Sequence, residues 1–197
     1  MTDRVFIDVD TQVDFMDPKG NLYVAEAETL VANLKKLVAF ARRNGIPIIA
    51  SMDTHVPDDP EFEVFPPHCV RDTAGHSKIE ETTVPGAKWV AIDGDPIVPA
   101  PGEEVLIEKH IYSLFDNPNA ERILKELSPA QCVVFGVATD YCVKHAVLGL
   151  CERGWNTTVV TDAIKPVNPD DEADVLAEFR DAGARFATTA EILARDA

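Results

Sequence analysis

Short apolar runs alternate along the chain with stretches of helical period, and this alternation predicts a βαβ protein built on a mostly parallel sheet. The runs at residues 5–9, 46–52, 105–108, 132–137 and 157–161 are dominated by apolar and β-branched side chains, and a weaker one follows at 185–187. Between the first two, Leu30, Leu34, Leu37, Val38 and Ala41 recur at intervals of three and four, which predicts a helix over 25–44 stopped by Gly45. Further helices are expected at 118–127, from a cap at Thr139 or Asp140 to 153, at 170–182 and at 191–194. The expected fold is α/β: a three-layer α/β/α, Rossmann-like arrangement of about six mostly parallel strands, forming a single domain over 1–197.

The periodicity breaks between 53 and 101. Seven prolines (57, 60, 66, 67, 85, 96 and 99) and three of the five histidines fall in this region, relieved only by a short strand pair expected around 88–92. Loops of this length inside a compact domain are usually functional.

Charge and composition narrow the partners. Eighteen Lys and Arg against 34 Asp and Glu give a net charge of −16, which argues against nucleic acid and anionic membrane surfaces. No apolar run reaches the length of a membrane span, and the first residues lack the pattern of a signal peptide, so a cytoplasmic protein is expected. The four cysteines, at 69, 132, 142 and 151, form no CxxC pair and are expected to be reduced.

Placed on this map, Asp10, Asp53, Lys109, Asp140 with Cys142, and Asp162 all fall at carboxyl ends of predicted strands, the edge at which open parallel sheets bind ligands. If the strands at 5–9 and 132–137 are neighbours, Asp10 and Cys142 face one crevice as an acid beside a thiol. Cys142 is expected in the first turn of a helix, where the macrodipole and free N–H groups favour a thiolate and can hold an oxyanion. It reads equally as a small buried hydrophobe, as Cys132 and Cys151 do. Lys109 fits either a cation that supports a neighbouring thiol or a lysine reaching out from a strand end. Asp8 rivals Asp10, because strand alternation puts both on one face; Asp162 reads better as a turn or cap residue. In the long loop, Asp53-Thr54-His55 is followed by Glu61, Glu63 and His68, and two imidazoles with carboxylates suit Zn²⁺, Fe²⁺ or Mn²⁺.

The combination Asp10-Thr11-Gln12-Val13-Asp14-Phe15, Asp53-Thr54-His55, Phe65-Pro66-Pro67-His68-Cys69-Val70, Lys109 and Gly136-Val137-Ala138-Thr139-Asp140-Tyr141-Cys142-Val143 resembles the isochorismatase-like cysteine hydrolases and, within them, the nicotinamidases. The likeness runs in order over about 4–190. The DxH and PPHC elements carry the metal site that sets the nicotinamidase branch apart.

The resemblance implies a triad of Asp10 as general base, Lys109 and the nucleophile Cys142. It also implies a cis peptide between Val137 and Ala138, with the N–H groups of Ala138 and Cys142 as oxyanion hole. The implied metal ligands are Asp53, His55, His68 and a fourth, Glu61 or its rival Glu63. The implied cofactor is one divalent ion, Zn²⁺ ahead of Fe²⁺ or Mn²⁺. Phe15, Phe65 and Tyr141 would wall the substrate site. The implied substrate is nicotinamide, hydrolysed to nicotinic acid and ammonia through a thioester, as in NAD salvage. A homo-oligomer is compatible with the family. The rival readings are a related hydrolase acting on another amide, a ureido acid or a vinyl ether, and a non-catalytic metal-binding module.

Overall fold

Seven strands form one sheet in the computed structural model, which describes residues 3–194. They are β1 (Arg4–Val9), β2 (Ile48–Asp53), β3 (Lys88–Val90), β4 (Glu104–Lys109), β5 (Gln131–Val137), β6 (Thr157–Lys165) and β7 (Arg185–Ala187). The order is β3-β4-β2-β1-β5-β6-β7, and every paired neighbour is parallel. β1 lies between β2 and β5, with Val9 opposite Gly136 in the register, so the chain winds outward in both directions from this point. The crevice above the carboxyl ends of β1 and β5 is the switch point where such sheets bind ligands.

Among the described residues, six α-helices accompany the sheet: α1 (Val13–Met16), α2 (Val31–Arg43), α3 (Pro118–Leu127), α4 (Cys142–Glu152), α5 (Glu172–Asp181) and α6 (Thr189–Ala194). Leu34, Leu37, Val38 and Ala41 of α2, with Ile192 of α6, pack on Phe6, Ile48 and Phe135. Ile123, Leu124, Val143, Val147, Leu150, Val175 and Phe179, from α3, α4 and α5, pack on the other face against Ile7, Val105 and Val134. Burying both faces is why the central strands read as continuous apolar runs rather than alternating ones.

The differences from the sequence reading are local. The sheet has seven strands rather than six, because the region expected as a strand pair at 88–92 supplies one parallel edge strand, β3, beside β4. The helix expected over 25–44 is a 3₁₀ turn at Ala27–Leu30 followed by α2, and Gly45 does follow its end, with φ +65°. α4 begins at Cys142 itself, and neither Thr139 nor Asp140 caps it. Asp140 instead accepts the N–H groups of Val167 and Asn168, both at 2.9 Å, fastening the turn before α4 to the segment after β6. β6 continues past its expected end, so Asp162 lies within the strand, where it accepts from the N–H and hydroxyl of Thr189 at the start of α6.

Candidate active site

Four buried side chains, from the ends of three parallel strands and the start of one helix, meet at the switch point. Lys109, the last residue of β4, is fully buried, and its Nζ lies 2.9 Å from Asp10 Oδ2, 2.8 Å from Asp53 Oδ1 and 3.5 Å from Cys142 Sγ. A lysine at a strand end therefore points inward here rather than reaching for solvent, because two carboxylates compensate its charge. Asp10 follows β1 with φ +48°, and Ser51 of β2 donates to its Oδ1 at 2.6 Å. Asp8 does not join the group: it is buried below, held by Lys78 at 2.8 Å and by Thr11. The structure thus separates the two aspartates that alternation alone leaves equivalent.

Burial dominates the electrostatics of this cluster. It pushes the Cys142 thiol well above its ordinary range; the neighbouring carboxylates push the same way and Lys109 opposes them. Burial likewise raises Asp10, with Lys109 again opposing. Lys109 goes well above its usual value, since the pull of Asp10 and Asp53 outweighs the cost of burying an ammonium. Burial thus counts against the thiolate that the start of α4 favours, and Asp10 and Lys109 are the ionisable groups set against the sulfur.

The turn that carries Cys142 is set by tight backbone packing. Gly136, with φ +120°, approaches β1 so closely that a Cβ there would lie 2.0 Å from the Val9 carbonyl oxygen. The following Val137–Ala138 peptide is cis. Tyr141 and Val143 N–H groups both donate to the Ala138 carbonyl, and the intervening Cys142 N–H has no backbone acceptor among the described residues.

Asp53 joins this group to a second one. Its Oδ1 faces Lys109, while Oδ2 lies 3.1 Å from His55 Nε2 and 3.3 Å from His68 Nε2. All three residues are buried, and their ligand-type atoms lie within 4.8 Å of one another. Lys109 and the two imidazoles hold Asp53 well below the usual carboxylate range, against the opposing effect of burial. His68 Nδ1 lies 2.8 Å from the Pro66 carbonyl and His55 Nδ1 lies 3.0 Å from Asp59 Oδ2. Burial lowers the His55 pKa, but the carboxylates of Asp53 and Asp59 at its two ring nitrogens outweigh it and raise it to about 9. With the Nδ1 partners taking the ring hydrogens, both Nε2 atoms and Asp53 would form a donor set that fits a divalent ion such as Zn²⁺. Glu61 groups with His55 and Asp59, whereas Glu63 is exposed.

Cys142, Ala138, Asp53, Glu61 and His68 line one pocket, with Phe15, Phe65 and Tyr141 among its walls. It encloses about 510 Å³ including its open mouth. Tyr112 is a wall that sequence reading missed, packed edge-on to Tyr141 at 5.4 Å and stacked on His145. Two motif residues also gain a role. Gln12 Nε2 donates to the carbonyls of Asp53 and His76 at 2.9 Å, and its Oε1 accepts the Asp53 N–H at 2.8 Å. Asp14 accepts the Cys69 N–H at 2.7 Å and the Asn21 N–H at 3.0 Å, which anchors the segment bearing His68. In Asp10-x-Gln12-x-Asp14, then, the first residue faces the thiol and the other two fix the loops that bring Asp53 and His68 together.

A doubly wound parallel sheet that brings a buried thiol, carboxylate and ammonium into contact at its switch point is the framework of a thiol-bearing α/β enzyme. The model of the isochorismatase domain matches residues 4–191, so the chain belongs to the isochorismatase family of hydrolases. It is 27% identical to the nicotinamidase of Escherichia coli across 97% of each chain. It is 29% identical to an N-carbamoylsarcosine amidase from an Arthrobacter species over 70% of this chain and 50% of that protein. A pyrazinamidase from Pyrococcus horikoshii, solved in complex with zinc, superposes with a TM-score of 0.82 at 26% identity, covering 94% of this chain and 99% of the other.

Proposed function

We propose that this protein is a metal-dependent nicotinamidase that uses Cys142 as nucleophile, Asp10 as general base and acid, and Lys109 as their fixed counter-charge. The observation that carries the substrate assignment is the pocket lining: aromatic and aliphatic walls, a thiol beside Ala138, an imidazole–carboxylate cluster, and no Lys or Arg among the described lining residues. Ureido acids and isochorismate-type substrates bear carboxylates for which the described lining offers no Lys or Arg, and Lys109 is already committed to Asp10 and Asp53. A neutral heteroaromatic amide needs none.

Asp10 takes the thiol proton of Cys142 as the sulfur attacks the amide carbon, so charge moves between two groups that Lys109 touches at once. The N–H groups of Ala138 and Cys142 receive the developing oxyanion. Asp10 then gives its proton to the amide nitrogen, the C–N bond breaks, and ammonia leaves a thioester on Cys142. Water loses a proton to Asp10 as it attacks the thioester; the sulfur departs and recovers that proton, releasing nicotinic acid. Asp53, His55, His68 and Glu61 would hold the divalent ion, which supplies a Lewis-acid contact for the ring nitrogen. Phe15, Phe65, Tyr112 and Tyr141 pack on the ring and exclude water. The activity would serve NAD salvage by consuming free nicotinamide.

The test is ammonia release from nicotinamide by the zinc-loaded protein, by Cys142→Ala and by chelator-treated protein. The wild type should turn over, and Cys142→Ala should lose at least ~10³-fold in kcat while keeping its metal. Chelation should abolish activity reversibly. No ammonia from the metal-loaded wild type would sink the nicotinamide assignment, and loss of metal from Cys142→Ala would contradict the separation of the two clusters.

A further inference from the structure

Asp59 touches the metal cluster from outside with both of its oxygens. Oδ2 lies 3.0 Å from His55 Nδ1, and Oδ1 accepts the Glu61 N–H at 2.9 Å, capping the 3₁₀ turn Pro60–Glu63. The two contacts have different consequences. With a divalent ion bound, a carboxylate on Nδ1 fixes the tautomer and ring orientation of His55, so that Nε2 offers its lone pair to the ion, and it makes the imidazole a stronger donor. The cap fixes where the turn begins; the Glu61 carbonyl then accepts from Val64 and Phe65 at 3.0 Å, which closes the turn and sets Glu61 against the pocket. Asp59 itself does not line that pocket. Its side chain keeps about a fifth of its surface exposed, and it adds no ligand atom to the cluster of Asp53, His55 and His68.

We propose that Asp59 is the positioning residue of the metal site: one carboxylate orients His55 and folds the turn that delivers Glu61, so that ligands from two stretches of loop are brought into register together. The inference rests on Asp53, His55 and His68 binding a divalent ion, as proposed above. The experiment is the zinc affinity of the full chain, measured by competition with a chromophoric chelator, for wild type, Asp59→Ala, Asp59→Asn and His68→Ala. The visible spectrum of each protein loaded with Co²⁺ and the melting temperature of each zinc-free protein accompany it. Asp59→Ala should bind zinc about 10–100-fold more weakly, in the range for loss of an outer carboxylate on a ligating histidine. Asp59→Asn keeps a good capping oxygen but loses the charge on His55, so its affinity should fall between those two proteins. The Co²⁺ spectrum should change in Asp59→Ala, with zinc-free melting temperatures little altered, because a merely structural role would move the melt and not the spectrum. Wild-type zinc affinity in Asp59→Ala beside strong loss in His68→Ala overturns the role of Asp59 and leaves the metal site standing. Unchanged zinc affinity in His68→Ala overturns the metal site itself.

Discussion

Lys109 is the residue on which the two halves of the site depend. Its ammonium lies between Asp10 and Asp53, each within 3 Å, with the thiol of Cys142 at the third corner. An unpaired buried carboxylate is far more costly than a paired one, so removing this cation leaves two such groups facing each other. Lys109→Met should lower stability by roughly 3–5 kcal/mol, read as a fall in the urea midpoint, and should abolish ammonia release. Asp10→Asn introduced into Lys109→Met should recover part of the lost stability by removing one of the stranded charges, without recovering activity. A double variant no more stable than Lys109→Met would show that repulsion between these carboxylates is not the cost. At the same scale, Ser51 and Gln12 act without touching the pocket: one donates to Asp10, the other clasps both backbone groups of Asp53. Such hydrogen bonds fix side chains that burial alone would leave free to turn.

At the scale of single elements, the first residue of β4 carries a charge that a buried strand does not advertise. Glu104 is buried against Lys78, which also holds Asp8, and one oxygen of each carboxylate lacks a hydrogen-bond partner among the described residues. Burial pushes Glu104 up to about 7; Asp8 adds to the rise and Lys78 and the Val84 backbone oppose it. Between its ordinary value of 4.5 and about 7, the folded chain therefore holds a proton that the unfolded chain has released. The folded state binds more protons in that window, so this group's contribution to stability falls as pH rises through it. Glu104→Gln removes the slope: from about pH 5 to about pH 8 its stability should rise relative to wild type by roughly 2 kcal/mol. Urea unfolding at both ends of the range reads the difference, and parallel pH profiles would refute it. No hydropathy pattern could have shown this cluster, because patterning counts a charge as exposed and Lys78 arrives from a loop without period. The same limit explains β3 and the split before α2, where local loop geometry decides. The strand ends carrying Asp10, Asp53 and Lys109 were legible because apolar runs give way there to polar residues, and, although the expected cap at Thr139 or Asp140 was not formed, Cys142 was legible in the first turn of α4. Asp59 and Tyr112 were not, since each lies in an irregular segment and acquires its position only through a tertiary contact.

Over the whole molecule, the acidic excess and the pocket act on substrate and product differently. The chain carries a net charge of −16, and the described pocket lining offers a thiol, aromatic and aliphatic groups, His68 and two carboxylates but no Lys or Arg. A neutral amide approaches such a surface without electrostatic cost, whereas a carboxylate product approaches against the field of the whole chain. Hydrolysis of nicotinamide would thus create an anion that the molecule tends to expel. Screening provides the test, because the Debye length shrinks from about 30 Å at 0.01 M salt to about 8 Å at 0.15 M. Across that range kcat/KM for nicotinamide should stay nearly flat, while the inhibition constant for added nicotinate should fall, reflecting tighter binding, by about 2–5-fold as the repulsion is screened. Both are read from initial rates of ammonia release by zinc-loaded protein at constant pH. Weaker nicotinate inhibition at higher salt would mean that a local positive charge governs the approach of the product, and the uncharged-substrate argument drawn from the lining would then lose its basis.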